Sequence, residues 1–333
     1  MSIRWRLLGQ PGRDNALLVE VDTGHSIDRL LFDCGEGCVS TLPFHDRIAI
    51  DEIFFSHLHM DHVGGFDSFF RANFDRSAKP NHIWGPVRTS EILQHRLQGY
   101  LWTHCDELSA AWHIHDIDTR EIRTFCFELR EAFAQGREQP PRAWNEVIVD
   151  RPAYSVSAYL MDHGTPSVAY VVREKSRLHV DTDALKGLGL ASGKWIGELK
   201  NPAPGQATIS AGGRDWPIGE LREKLLRETP GESIAYLTDF LLDDGAIDRL
   251  AGPLANCSVM VCESQYLHAD QALATKNFHM TATRVATLAA KAQVQRLVLM
   301  HVSDRYVGEE LQAMLADARQ VYPGAEFPAD WGI

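Results

Sequence analysis

The stretch Ser56–Gly65, SHLHMDHVGG, places three histidines and an aspartate within six positions, directly after a short apolar run. Such a run predicts a buried strand, so the polar side chains belong to the loop that leaves its carboxyl end. In an extended chain alternate side chains point the same way, so His57 and His59 share one side. The turn that follows brings Asp61 and His62 close to them. The sequence therefore concentrates four potential metal ligands at one end of a strand.

Imidazole nitrogens and a carboxylate oxygen, without thiolates, are the ligands of hydrolytic zinc or manganese sites. Four donors from so short a segment cannot surround one tetrahedral ion with relaxed geometry. Two neighbouring ions, each completed by ligands from distant segments, explain the spacing better. The alternative is a chance cluster of exposed histidines, since the chain contains 15. The HxHxDH pattern, between an apolar strand and two glycines, is too specific for that alternative.

The composition limits the classes of protein to which the chain can belong. It has 333 residues, of which 44% are apolar and 23% charged, as in ordinary globular proteins. No run of about 18 apolar residues occurs, so no membrane span is expected. The first residues lack the apolar centre of a secretory signal, and the six scattered cysteines suit a reduced, cytoplasmic protein. The formal charge of −12 argues against general polyanion binding, although Val171–Lys200 carries six Lys and Arg against four Asp and Glu.

The order of strand-like and helix-like segments predicts an α/β fold. Short apolar strands dominate the first part of the chain, and strands alternate with helices of 3.6-residue periodicity near its end. Such an order suits sheets that are covered by layers of helices. Residues 100–152 are the least regular part, and we interpret them as an insertion rather than a second domain.

On these motifs the sequence resembles the metallo-β-lactamase superfamily, whose signature is HxHxDH, and within it the ribonuclease Z branch. The resemblance extends along nearly the whole chain. The further matching segments are LLFDCGEG (Leu30–Gly37), MDHGTPSVAYVV (Met161–Val172), YLTDF (Tyr236–Phe240), CESQY (Cys262–Tyr266), FHMTA (Phe278–Ala282) and LMHVSDRY (Leu299–Tyr306). The last two discriminate, because glyoxalases and lactamases would share HxHxDH but are not expected to carry them.

The resemblance implies a four-layer αβ/βα sandwich of the metallo-β-lactamase type. It also implies a single domain over residues 1–333, with the insertion around 100–152 and an arm-like segment around 173–215. In many ribonuclease Z enzymes such an arm carries a glycine-proline motif that grips tRNA. The aligned place here, Leu185–Lys200, has Ala191–Lys194 where a Pro/Gly-rich run is expected. Prolines there would stiffen the chain, so this arm departs from the usual pattern.

The resemblance further implies roles for individual residues. Two metal ions are expected, one held by His57, His59 and His163, the other by Asp61, His62 and His301, with Asp239 as a bridge. The loop Ser56–Gly65 is called the metal loop below, and Asp33 is expected to brace it from behind. His279, paired with Glu263, is expected to stabilise or protonate the departing oxygen, while Asp61 orients the attacking water or receives its proton. His113 and His115 repeat the HxH spacing without the following Asp-His, and we interpret them as part of a strand face.

The implied activity is metal-dependent phosphodiester hydrolysis by a hydroxide held between two divalent ions, with zinc favoured over manganese or iron. Three hypotheses follow. The first is a ribonuclease Z-like endonuclease that cuts RNA 3′ ends, with precursor tRNA as its partner. The second is a phosphodiesterase of the same fold that acts on small substrates such as cyclic nucleotides. The third, a metal-free binding scaffold, is weakest because no matched ligand is missing. The resemblance also implies a homodimer.

Overall fold

The computed structural model describes residues 3–333, which form two compact units. The first unit comprises the residues up to Arg173 together with Glu232–Ile333, and the second comprises Glu174–Gly231. The strands are β1 Ile3–Leu8, β2 Ala16–Asp22, β3 Ile27–Phe32, β4 Glu52–Phe54, β5 Asn81–Pro86, β6 Ala111–Ile117, β7 Glu121–Glu128, β8 Arg137–Glu138, β9 Arg142–Ala143, β10 Val147–Asp150, β11 Tyr154–Asp162, β12 Pro166–Glu174, β13 Arg177–Val180, β14 Thr208–Ala211, β15 Arg214–Pro217, β16 Leu226–Thr229, β17 Ser233–Leu237, β18 Val259–Glu263, β19 Leu297–Met300 and β20 Ala325–Glu326. The α-helices are α1 Phe44–Ala49, α2 Met60–Val63, α3 Phe66–Asn73, α4 Thr89–Leu97, α5 Thr182–Gly187, α6 Trp195–Lys200, α7 Ile218–Leu225, α8 Asp244–Ala251, α9 Gln271–Lys276, α10 Ala282–Ala292 and α11 Glu309–Val321.

Two sheets build the first unit. One runs from β1 to β7 in sequence order, with the short strands β8 and β9 paired to β7, and the other has the order β10-β11-β12-β17-β18-β19-β20. Strands β3 to β6 are parallel, as are β17 to β20. Parallel neighbours need crossover connections, which here contain α1 to α4 in the first sheet and α8 to α11 in the second. The expected α/β sandwich of four layers is thereby confirmed.

Stacked rings cross the first sheet on the face that packs against the second. Phe32, Phe54, Trp84 and His115 are partners on the successive strands β3 to β6. Their neighbouring ring centroids lie 4.9, 6.3 and 3.7 Å apart. From the second sheet, the Tyr170 ring lies 5.6 Å from Phe32 and 5.5 Å from Phe54. This ring ladder holds the carboxyl ends of β3 and β4 at one level, where the next residues leave the sheet.

Residues 100–152 extend the first sheet. The strands β6 and β7 pair along their whole length, and Trp112 and Ile114 on β6 are fully buried. His113 and His115 alternate with them, as expected for a strand, and point to the opposite face. Part of the segment that was expected to be least regular therefore forms two paired strands. The strand β6 was hard to recognise in the sequence because histidines alternate with its buried apolar residues. The exposed residues are concentrated in two stretches, residues 100–109 before β6 and the part between β7 and β10.

The second unit has an apolar core of its own. Strand β13 pairs with β16, and β14 pairs with β15, both in antiparallel register. Leu199 and Leu221 are fully buried in this core, and Trp216 is nearly so. The arm-like segment expected around 173–215 falls almost entirely within this unit, which continues beyond it. The single-domain organisation stays a prediction.

The helices and the cysteines of the described residues were compared with what membrane spans and disulfides require. Within residues 3–333, no helix combines the length and the apolar character needed to cross a membrane. All six cysteines lie in this part of the chain and are free. Burial raises the pKa of the Cys34 and Cys262 thiols well above the ordinary value, which disfavours their reactive thiolate form.

The ring ladder yields a prediction about stability. Phe54→Ala removes a fully buried ring that is stacked on both faces, so we expect the free energy of unfolding to fall by about 3–5 kcal/mol. Phe44→Ala is the matched control, because the side chain of Phe44 is 58% exposed and its loss should change stability by less than about 0.5 kcal/mol. Urea denaturation followed by circular dichroism measures both. Equal losses would contradict the packing role of the ladder.

Candidate metal centre

The metal loop begins where β4 ends. Ser56 and His57 are fully buried, His59 precedes the single-turn helix α2, and Asp61 and His62 lie within that helix. His62 is buried, whereas the Asp61 side chain is 44% exposed. The turn of helix therefore gives the loop one inward ligand and one carboxylate at the mouth of the site.

The glycines after the HxHxDH motif allow the loop to pack against the backbone that follows β3. The Cys34 N–H donates to the His62 carbonyl at 2.7 Å, and the Gly65 N–H donates to the Cys34 carbonyl at 2.8 Å. A Cβ atom on Gly65 would lie 2.2 Å from the carbonyl oxygen of Gly35. No side chain fits at this close approach, which explains the second glycine of the motif.

Asp33, expected to brace the loop, is fully buried behind it. Its Oδ2 atom accepts hydrogen bonds from His62 Nδ1 and Ser56 Oγ at 2.7 Å each and from the Tyr236 hydroxyl at 2.9 Å. Its Oδ1 atom accepts one from the Ser56 N–H at 2.7 Å. Four donors stabilise a charge whose burial would otherwise be costly.

In the neutral form that would bind a metal, these hydrogen bonds determine which nitrogen of each histidine carries the proton. His62 donates from Nδ1 to Asp33. The Ser56 hydroxyl gives its own proton to Asp33, so it accepts one from Nδ1 of His57 at 3.1 Å. His163 donates from Nδ1 to a backbone carbonyl at 2.8 Å. Each of the three rings thus keeps a lone pair on Nε2, the atom that a metal would bind.

Two groups of side chains bring their ligand atoms within 4.8 Å of one another. The first group is His57, His59 and His163, and the second is Asp61, His62, Asp239 and His301. Asp239 Oδ2 lies 3.8 Å from Nε2 of both His57 and His163, and 3.4 Å from Nε2 of His62. This carboxylate therefore faces both groups. The seven residues predicted as ligands are brought together, and their binding of metal stays a prediction.

His279 lies beside both groups and is held by Glu263. Its Nδ1 atom donates to Glu263 Oε1 at 2.7 Å, while Glu263 Oε2 accepts the N–H of Asp239 at 2.6 Å. Burial opposes a charge on His279, but the Glu263 carboxylate outweighs it and raises the pKa of the ring to about 9. The ring is therefore an imidazolium at neutral pH, with a second proton on Nε2. With His163 and Asp239 it also forms a third close group of potential ligands.

The charges of the site balance one another. Burial, together with repulsion from His62, lowers the pKa of His57 to about 2, so this ring is neutral. Burial also opposes a charge on His62, but Asp239 and Asp33 outweigh it and raise its pKa well above the ordinary value. Burial would raise the pKa of Asp239, yet His301 and His62 hold it well below its usual range. The ionised carboxylate is thus balanced by protons that a divalent cation can replace.

Several buried nitrogen atoms of the site have no hydrogen-bond partner in the described part of the chain, which indicates whether a metal ion fits there. Among the residues that the structure describes, Nε2 of His57, Nε2 of His62 and Nδ1 of His301 are buried and have no hydrogen-bond partner. Buried polar atoms are normally satisfied, so these nitrogens point to a group that would bind them. Imidazole nitrogens with carboxylate oxygens suit zinc, manganese or iron. The residues therefore fit divalent metal ions.

Three residues that support the site were missed by the sequence analysis. Ser56 and Tyr236 both donate to Asp33, and Asn15 Oδ1 accepts the N–H of His301 at 3.0 Å. The first two lie inside quoted motifs, and that position was the only available signal. Asn15 lies outside every motif and gave none. The second HxH pair, on β6, lies outside the groups of potential ligands.

Comparisons with known proteins show which proteins this chain is similar to. A family profile described as "Anti-Pycsar protein Apyc1" matches residues 13–137. Ribonuclease Z of Deinococcus radiodurans is 45% identical over 325 residues, which cover 98% of this chain and 97% of that protein. Ribonuclease Z of Methanocaldococcus jannaschii is 30% identical over 285 residues, 84% of this chain and 78% of that one.

Solved structures of low sequence identity share the fold. The short form of human tRNase Z has a TM-score of 0.54 at 16% identity, covering 97% of this chain and 95% of its own. The metallo-β-lactamase fold protein YhfI of Bacillus subtilis has a TM-score of 0.56 at 12% identity, covering 98% and 95%. The fold and the extended match to the Deinococcus protein together place this chain in the ribonuclease Z family, whose members are metal-dependent hydrolases of the metallo-β-lactamase fold.

Proposed function

We propose that this hydrolase is an endoribonuclease that cleaves a phosphodiester bond at the 3′ end of RNA, with precursor tRNA as its substrate. The observation that carries the proposal is Asp239, whose carboxylate faces two groups of metal ligands while its backbone is tied to the His279–Glu263 pair. That arrangement offers two cation sites and a proton donor around one point. The relatives named Ribonuclease Z support the choice of RNA.

The proposed roles divide among the residues of the site. His57, His59 and His163 would hold one cation, and Asp61, His62 and His301 the other, with Asp239 between them. Two divalent cations would lower the pKa of a water molecule, and their positive charge would stabilise negative charge on the phosphoryl oxygens.

Hydrolysis also needs a nucleophile in line with phosphorus and a proton for the leaving oxygen. Partial burial would raise the pKa of Asp61, but the nearby His301 and His62 rings outweigh it and hold that pKa below its usual range; their Nε2 atoms lie 3.4 and 3.3 Å from Asp61 Oδ2. An ionised Asp61 at the mouth of the site would orient the attacking water. His279, protonated because Glu263 raises its pKa, would give its Nε2 proton to the leaving oxygen.

The charge of the second unit supports an RNA substrate. Glu174–Gly231 holds nine Lys and Arg against eight Asp and Glu, although the whole chain has a charge of −12. Among the described residues Lys194, Lys200 and Arg214 form no ion pair, so their charges are free for phosphates. We infer that this unit contacts the RNA backbone despite its lack of a Pro/Gly-rich run.

The remaining details follow from chemistry and from the family resemblance. Zinc is the proposed metal, because five of the seven predicted ligands are histidine rings that present nitrogen and the other two are carboxylates. The free thiols are compatible with the reducing cytoplasm. A homodimer is proposed from the resemblance, and analytical ultracentrifugation tests it.

The first prediction concerns metal. His59→Ala and Asp239→Ala should each lose bound metal and activity together, because each removes a proposed ligand. His279→Ala should keep its metal and lose turnover by about 100- to 10,000-fold, because only the proton donor is removed. Plasma mass spectrometry of the purified variants measures metal, and bis(p-nitrophenyl) phosphate measures turnover.

The control for these variants is His113→Ala, which removes a half-buried histidine of the second HxH pair. It should retain both metal and turnover. A His279→Ala protein that is purified without metal would make His279 a ligand and contradict its assignment as the proton donor.

The second prediction concerns the substrate. The metal-loaded protein should cut precursor tRNA near its 3′ end, as seen on a denaturing gel, and chelation by EDTA should abolish the cut. Bis(p-nitrophenyl) phosphate serves as the small diester in a parallel reaction. Cleavage of the small diester without any cleavage of tRNA would overturn the proposal and favour a small-substrate phosphodiesterase.

A further inference from the structure

The proposed chemistry assigns no role to Arg305, which lies in the LMHVSDRY segment. Its guanidinium lies over the Tyr266 ring at 5.1 Å and near the Tyr306 ring at 5.9 Å. Its Nε atom donates to Ser303 Oγ at 3.2 Å. Among residues 3–333 its terminal amino groups have no hydrogen-bond partner and no carboxylate pairs with it. An exposed but fixed cation therefore presents its fork to solvent.

Two other arginines that lie over rings in the first unit are each paired with a carboxylate, whereas Arg47 and Arg142 lie over rings without one among the described residues. Arg296 lies 5.2 Å from the Trp5 ring and pairs with Glu326. Arg123 lies 5.1 Å from the Phe125 ring and pairs with Glu138 at 2.7 Å. Arg305 differs from both in keeping its full positive charge. Its position on a ring is thus not explained by an ion pair.

Tyr266 connects Arg305 with the proposed proton donor. The Tyr266 ring is nearly buried, lies 5.8 Å from the His279 ring and also contacts the guanidinium. The Tyr266 hydroxyl accepts a hydrogen bond from Asn277 at 2.9 Å, which fixes the ring. Arg305 therefore lies one aromatic ring away from the residue that would protonate the leaving oxygen.

We propose that Arg305 binds the phosphate next to the scissile one, on the leaving-group side, and so selects a polynucleotide over a small diester. This inference rests on the proposed function. A guanidinium binds phosphate through two parallel N–H bonds, and the free terminal groups of Arg305 have that geometry. Because Tyr266 and Ser303 already hold the side chain, little conformational entropy is lost on binding. A small diester has no second phosphate and gains nothing from this contact.

The test compares two substrates in the metal-loaded enzyme. Arg305→Ala should lower kcat/KM for precursor tRNA by about 10- to 100-fold, mainly through KM, because a charge-assisted hydrogen bond to phosphate is lost. Turnover of bis(p-nitrophenyl) phosphate should change less than about twofold, since its phosphate lies at the metals. The plot of log affinity against log salt for the RNA has a negative slope, and its magnitude should fall by about 0.7. Arg305→Lys, which keeps the charge but not the fork, should recover part of the loss.

The matched control is Arg296→Ala, which also removes an arginine from an aromatic ring and should leave both substrates unaffected. Equal losses of Arg305→Ala on both substrates, or a lowered melting temperature that accounts for them, would assign a structural role and overturn the proposal. Unchanged RNA cleavage by Arg305→Ala would overturn it while leaving the proposed function intact. A wild-type enzyme that leaves RNA uncut would overturn the proposed function and this inference with it.

Discussion

One buried carboxylate, that of Asp33, ties the metal loop to both sheets of the first unit. It follows β3, it binds Ser56 and His62 after β4, and it accepts a hydrogen bond from Tyr236 on β17 of the second sheet. Removing one partner of a buried charge typically lowers the free energy of unfolding by about 3–5 kcal/mol. Each of the four donors is therefore needed to keep this carboxylate buried. The loop can therefore reach its observed form only when both sheets are in place. The fold and the site are one cooperative structure.

The strand ends around this carboxylate share an unusual backbone conformation. Asp33, Asp239 and His301 have φ values of 57°, 49° and 48°, in the left-handed region that residues other than glycine rarely adopt. Each follows a strand of one of the two sheets, where the chain turns sharply and the side chain swings across the strand ends. Hydrogen bonds stabilise these residues in the unfavourable conformation. They are accepted by the Asp33 side chain and donated by the backbone N–H groups of Asp239 and His301. Three of the ten described residues other than glycine that have a positive φ are thus ones proposed to brace or bind metal.

Much of the site could be predicted because its residues lie in short motifs whose spacing reflects strand ends. The layered α/β fold followed from the order of strands and helices in the same way. Ser56 and Tyr236 could not be recognised as supports, because their shared partner Asp33 lies 23 and 203 positions away in sequence. Arg305 was hidden for the same reason, since its contact with Tyr266 joins residues 39 positions apart. The compact core of the second unit was missed because its apolar side chains are interrupted in sequence by glycines and charged residues.

Glu263 limits how such a site can change. One of its oxygens holds the His279 ring and the other holds the backbone of Asp239, so a single side chain positions the proposed acid and the proposed bridging ligand. Any substitution that shortens, lengthens or neutralises this carboxylate moves both groups at once. Acid strength and ligand geometry therefore cannot be adjusted separately at this position. A change of leaving-group preference would then have to come from substitutions at the exposed edge of the site. Residues there, such as Arg305, can vary without disturbing the His279–Glu263 pair.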